Sequence, residues 1–181
     1  MRSLGHRADK GSSTGPFEWR REQVSGPEHP DTLGTGSHLP FWARAAGDPA
    51  GARDQFAALL PIRERVLGPE HPDTLATRDD LAWSTGEAGD AAGARDLYAV
   101  LLPIRERVSG PEHPRTLVTR DNLARFTGQA GDAAGARDLY AALLPIRERV
   151  LGPEHPATVA TRRSLAFWTK EADGGVERGV K

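Results

Sequence analysis

The stretch from Gly89 to Pro114, GDAAGARDLYAVLLPIRERVSGPEHP, is written three times in this chain. The copy from Gly131 to Pro156 matches it at 24 of 26 positions, differing only at Val100/Ala142 and Ser109/Leu151. The copy from Gly47 to Pro72 matches the Gly131 copy at 23 of 26, the differences being Pro49, Gln55 and Phe56. Successive copies start 42 residues apart. A fixed period of that size implies stacked units, each burying its apolar face only against its neighbours, so length counts units rather than the size of one core.

Helix boundaries are written into each unit. Asp48, Asp90 and Asp132 follow a glycine and precede an Ala- or Pro-led run, which suits a side-chain oxygen capping free backbone N–H groups. Pro49 falls on the first helical position, where its missing N–H costs nothing. From Ala94 the apolar residues Leu97, Tyr98, Leu101, Leu102, Ile104 and Val108 follow helical spacing, and Gly110-Pro111 ends the run with an expected left-handed cap. This is helix B. Its Pro61, Pro103 and Pro145 predict a kink rather than a break, because the apolar stripe continues past them. Helix A runs from Pro72 to about Gly86, with Leu75, Leu81, Ala82 and Thr85 on one side. The short link through Gly89 makes the two helices antiparallel.

The expected organisation is a tail without apolar periodicity over 1–16, read as disordered, and a remnant of a preceding repeat over 17–29. Repeat 1 spans 30–71, with its first helix interrupted by Gly34, Gly36 and Pro40; repeat 2 spans 72–113 and repeat 3 spans 114–155. A terminal helix over 156–170 covers the last apolar face, and 171–181 reads as a flexible tail. The same ending also fits an array that once continued. The fold class is therefore all-α, a solenoid of antiparallel helix pairs.

Composition removes several classes of function. Lys+Arg is 24 and Asp+Glu is 25, so no dominant attraction to nucleic acid or an anionic membrane is expected. The absence of cysteine excludes disulfides, thiolate metal sites and thiol catalysis. The N-terminal MRSLGHRADKGSSTG has no apolar run after its basic residues, and the apolar run 97–104 is too short for a bilayer, so a cytoplasmic protein is the expectation.

These features resemble the tetratricopeptide repeat in its 42-residue form, as found in kinesin light chains and bacterial signalling proteins. Leu81-Ala82 looks like the Leu–small pair of that motif's first helix, and Ala94 and Tyr98 look like the small and aromatic positions of its second. Arg105 to Pro114 (RERVSGPEHP) is similar to the extended kinesin-light-chain linker. Thr85 and Thr127 depart from it, standing where an aromatic is usual, as does Leu101, where Ala is preferred. The resemblance covers roughly residues 20–169 and implies a right-handed superhelix whose inner face, mostly A helices, holds a peptide or partner segment.

Nothing in the residues points to an enzyme, a cofactor or a metal. His29, His71, His113 and His155 recur once per unit, roughly 16–20 Å apart, whereas metal ligands converge to about 2 Å from one ion. A structural role in the Pro-Glu-His-Pro turn is expected. Arg-Glu-Arg (63–65, 105–107, 147–149) and Ala-Arg-Asp (52–54, 94–96, 136–138) read as solvated faces. No phosphate-binding loop and no nucleophile elbow occurs.

Divergence between copies is concentrated in helix A, where 73–88 and 115–130 share 10 of 16 residues. Groove positions carried over from the resemblance are Ala76, Asp79, Asp80, Trp83 and Glu87, then Val118, Asp121, Asn122, Arg125 and Gln129, then Ala160, Arg163, Ser164, Phe167 and Lys170. Trp83, Arg125, Arg163 and Phe167 are the expected anchors, because Trp and Arg most often dominate interfaces; Asn122 is expected to bond a ligand backbone. Phe126 and Trp168 are expected between helices. The same differences also suit an unconstrained surface. The leading function is a non-enzymatic scaffold for a protein or peptide partner. The alternatives are an array that self-associates end to end, and the sensor fragment of a larger signalling ATPase.

Overall fold

The computed structural model describes residues 47–178. The expected tail at 1–16, the remnant at 17–29, the interrupted helix at about 30–45 and His29 lie outside the described residues. Among the described residues there are six helices and no strand: α1 (Pro49–Leu67), α2 (Pro72–Glu87), α3 (Ala91–Ser109), α4 (Pro114–Gln129), α5 (Ala133–Leu151) and α6 (Pro156–Arg178). The B helices are α1, α3 and α5; the A helices are α2, α4 and α6. Each helix packs on the next, and α2 also touches α4, so A helices lie side by side along one face. The chain is an all-α solenoid. Helix α6 continues over Asp173 and the following glycines to Arg178, past residue 170.

The capping chemistry explains the period. Asp48, Asp90 and Asp132 each accept the N–H of the glycine three residues on, Gly51, Gly93 and Gly135, at 2.8 Å. The histidines of Pro-Glu-His-Pro cap the A helices: Nδ1 of His71, His113 and His155 accepts from the N–H of Asp73, Arg115 and Ala157. A neutral imidazole nitrogen thus does the work that Ser or Asp does elsewhere. Gly68, Gly110 and Gly152 end the B helices, but with φ of 97, 97 and 93° and ψ of 156, 152 and 156°. This is the extended mirror region that only glycine occupies, not the expected left-handed α cap. Helices α1, α3 and α5 run uninterrupted over Pro61, Pro103 and Pro145, all of which are exposed.

The buried stripe of a B helix is narrower than its apolar pattern. On α3 it consists of Ala94, Tyr98, Leu101 and Arg105, while Leu97 and Val108 are 36% and 41% exposed. The arginine corrects the reading of Arg-Glu-Arg as a solvated face. Arg63, Arg105 and Arg147 are 3–5% exposed. Arg105 Nη2 donates back to the Leu75 carbonyl at 3.1 Å, and Arg147 Nη2 to that of Leu117 at 3.2 Å. Looking forward, Arg63 Nη1 donates to the Thr77 hydroxyl at 2.6 Å and Arg147 Nη1 to that of Thr161. The glutamate of each triplet reaches the next A helix, pairing Glu64 with Arg78, Glu106 with Arg120 and Glu148 with Arg162. The last arginine reaches the previous linker, Arg107 to Glu70 and Arg149 to Glu112. The triplet is a fastener between units. Its receiving side includes a threonine pair on each A helix, Thr74/Thr77, Thr116/Thr119 and Thr158/Thr161, all 0% exposed.

A-helix faces interlock through glycine. A methyl on Gly86 would fall within the ring of Phe126, and one on Gly128 within the indole of Trp168. The expectation that Phe126 packs between helices is met at 1% exposure, and Trp168 is half-buried. No helix among the described residues is long and apolar enough to cross a membrane.

Candidate partner-binding groove

The side-by-side A helices place the sequence-derived groove positions in three rows. In the middle of α2 and α4 they form one cluster. The Arg125 guanidinium lies 4.6 Å from the centre of the Trp83 ring and 5.5 Å from that of Phe126, and Nη2 is 3.4 Å from Glu87 Oε1. Trp83 meets Phe126 edge to face, with centroids 5.8 Å apart and planes at 77°. Trp83, Glu87 and Arg125, separated by up to 42 residues in sequence, are thus one surface feature.

Beneath it runs a polar layer. Phe126 stacks on Tyr98 at 5.8 Å, and the Tyr98 hydroxyl donates to the Asp79 carbonyl at 3.2 Å while accepting from Asn122 Nδ2 at 3.0 Å. Asn122 is 8% exposed and commits its amide to this tyrosine. The structure therefore puts it beneath the Trp83–Arg125 cluster, where the ligand-bonding role expected from its residue type is not presented. Asp79 sits 4.0 Å from Arg105, and its Oδ1 is buried without a hydrogen bond. In the next unit Asp121 accepts from Arg147 at 2.5 Å. Asp80 is half-buried, Gln129 and Arg163 are exposed, and Phe167 is 55% exposed with its ring edge-on to Trp168 at 4.9 Å. The residues that sequence reasoning missed are Tyr98, Arg105 and Arg147. The available signal was an arginine conserved between the three copies at a position that continues the buried stripe.

Burial pushes the Asp79 carboxyl up to about 6; Arg105 opposes the shift, Asp80 adds to it and Arg115 opposes it. A folded-state pKa above the unfolded one means that folding is penalised at pH above about 6. The penalty is relieved as pH falls through 6 towards roughly 4, where the unfolded chain also takes up the proton. The wild type should therefore gain roughly 2 kcal/mol between pH 7.5 and 4.5 relative to Asp79→Asn. Parallel urea titrations of the two proteins at both pH values measure this; an identical pH dependence would refute the assignment.

The tyrosines behave alike, burial raising the hydroxyl of Tyr98 strongly and that of Tyr140 to about 12, so both remain protonated donors. Among the described residues no group of three or more His, Cys, Asp or Glu is placed to hold a metal ion.

Family models described as tetratricopeptide repeat match residues 41–107 and 116–157. Two crystal structures of a kinesin-light-chain-like protein from Podosopora anserina, with nearly identical TPR-like repeats, are similar to the chain at 25% identity, with TM-scores of 0.75 and 0.74. Each comparison covers 89% of this chain and 76% of the other. BtubC (BKLC) from P. vanneervenii is similar in fold, with a TM-score of 0.71 at 22% identity over 80% of this chain and 58% of that one. No curated protein sequence matches.

Proposed function

Because the chain belongs to the tetratricopeptide repeat family, in its kinesin-light-chain-like form, we propose that it is a non-enzymatic scaffold holding an extended peptide or partner segment along the A-helix face. The observation that carries this reading is the Trp83–Arg125–Glu87 cluster, which joins two of the residue types enriched at interface hot spots across adjacent A helices. Both members of the Arg125–Glu87 pair are about 40% exposed. Such a pair contributes under about 1 kcal/mol, so Arg125 can turn to a ligand carboxylate or carbonyl with little loss. Phe167 occupies the position of Trp83 two A helices on; because neighbouring A helices touch directly, each unit advances by one interhelix spacing rather than the two assumed for the histidines, and the distance is roughly 16–20 Å. About five or six residues of extended chain cover that distance. Ligand side chains spaced in that way would meet Trp83 at one end and Phe167 with Arg163 at the other. Gln129 and Asp80 line the path, with Asp79, Asp121 and Asn122 beneath it. A cytoplasmic setting fits this use.

Peptide display against the immobilised chain, followed by binding to Trp83→Ala/Arg125→Ala, tests the assignment. The enriched peptides should bind the double variant at least about tenfold more weakly, with unchanged helical circular dichroism. Equal affinity for both proteins would discard the groove.

A further inference from the structure

Each interior A helix receives two neighbours, and the structure shows what each contact requires. Towards the following B helix, α2 presents Leu75 and Ala82, and α4 presents Leu117 and Ala124, all exposed by no more than 2%. The incoming helix carries alanine, tyrosine, leucine and arginine at i, i+4, i+7 and i+11: Ala94, Tyr98, Leu101 and Arg105 on α3, and Ala136, Tyr140, Leu143 and Arg147 on α5. The tyrosine hydroxyl donates to the carbonyl of Asp79 or Asp121, and the arginine lies against that same residue's carboxylate. Towards the next A helix, Gly86 and Gly128 make room for Phe126 and Trp168.

On α6 the apolar ground is kept and both receiving groups are changed. The counterparts of Leu75 and Ala82 are Val159, half-buried, and Ala166, exposed. Arg163 stands where Asp79 and Asp121 stand, and Lys170 where Gly86 and Gly128 stand. A B helix of the array's own kind would set its arginine against Arg163, and like charges in a partly desolvated site repel strongly. A further aromatic-bearing A helix would meet the Lys170 side chain instead of a glycine. The B helix α1 of a second copy is not offered either, since its Ala52, Phe56 and Arg63 are already 0, 2 and 3% exposed. The face is shaped for a helix but refuses the helices of which the array is made.

We infer that this face of α6 docks a single helix of a partner protein, one carrying a small residue, an aromatic and a leucine at i, i+4 and i+7, and Asp or Glu at i+11. The small residue lies on Ala166, an aromatic hydroxyl donates to the Arg163 carbonyl, and the carboxylate pairs with the Arg163 guanidinium. Lys170 limits the occupant to one helix rather than a helical pair. Charge complementarity, reversed relative to both interior units, selects it over a second copy of this chain.

Two peptides of residues 131–152, stapled as helices on their solvent side, test the inference by calorimetric titration against the full chain. The peptide bearing Arg147→Glu should bind at least about tenfold more tightly than the native one, and the order should invert on the Arg163→Asp variant. Ala166→Gln, at an exposed position, should abolish binding with unchanged thermal unfolding, whereas Trp83→Ala/Arg125→Ala should leave it intact. No binding of either peptide, no difference between them, or an order that does not invert would overturn the inference. So would binding that survives Ala166→Gln.

Discussion

Arg147→Ala is expected to destabilise the array by about 3–5 kcal/mol, the range seen when one partner of a buried ion pair is removed. The side chain is 5% exposed, and its guanidinium donates to the carbonyls of Leu117 and Ala157, to the Thr161 hydroxyl and to the Asp121 carboxylate. Truncation leaves the Leu117 carbonyl and the Thr161 hydroxyl without this donor in a buried site, and Asp121 and the Ala157 carbonyl without it in a part-buried one. The acceptors lie on α4 and α6, either side of α5, so the loss should loosen α6 from the rest of the array. Arg149, two residues on in the same triplet, is the control. It pairs with Glu112, and both side chains are more than half exposed, so Arg149→Ala should cost no more than about 0.5 kcal/mol. Urea unfolding followed by circular dichroism compares the two. Equal, mild effects would mean that the buried arginines do not fasten the units. Arg147→Met combined with Asp121→Ala should recover much of the loss, because what costs most is the orphaned charge rather than the missing attraction.

The contrast between Arg147 and Arg149 also shows why the architecture was legible in the sequence and its fasteners were not. Helix starts and stops depend on local chemistry, so Asp90, Pro114 and Gly110 announced their roles within a few residues, and the period did the rest. Periodicity counts apolar side chains, however, and scores an arginine as solvent-facing. The partners that make Arg105 and Arg147 core residues include backbone carbonyls 30 positions upstream, which no residue letter reveals. The same blindness hid the imidazole caps, since histidine is not among the usual N-cap residues. It also let Leu97 and Val108, which are largely outside the buried stripe, stand in for the arginine that completes it. In the groove, register and residue type were enough to nominate Trp83, Glu87 and Arg125. That these three touch, and that Asn122 turns inward to Tyr98, depends on how successive A helices settle on Gly86.

That settling is the subject of the second large effect. Phe126→Ala should cost about 3–5 kcal/mol, since it removes a ring only 1% exposed that is stacked on Tyr98 and set against Trp83. Gly86 decides how the result is read. In the wild type, Gly86→Ala drives a methyl into the Phe126 ring, and overpacking of this kind costs about 1–3 kcal/mol. Once the ring is gone the methyl enters vacated space, in a helix where Ala is favoured over Gly by about 1 kcal/mol. Gly86→Ala should therefore change sign, destabilising the parent and stabilising the Phe126→Ala variant. A double-mutant cycle by thermal unfolding reads the coupling directly. If the two substitutions simply add, the ring is not seated on Gly86, and the close approach of α2 and α4 that forms the Trp83–Arg125 cluster would need another cause.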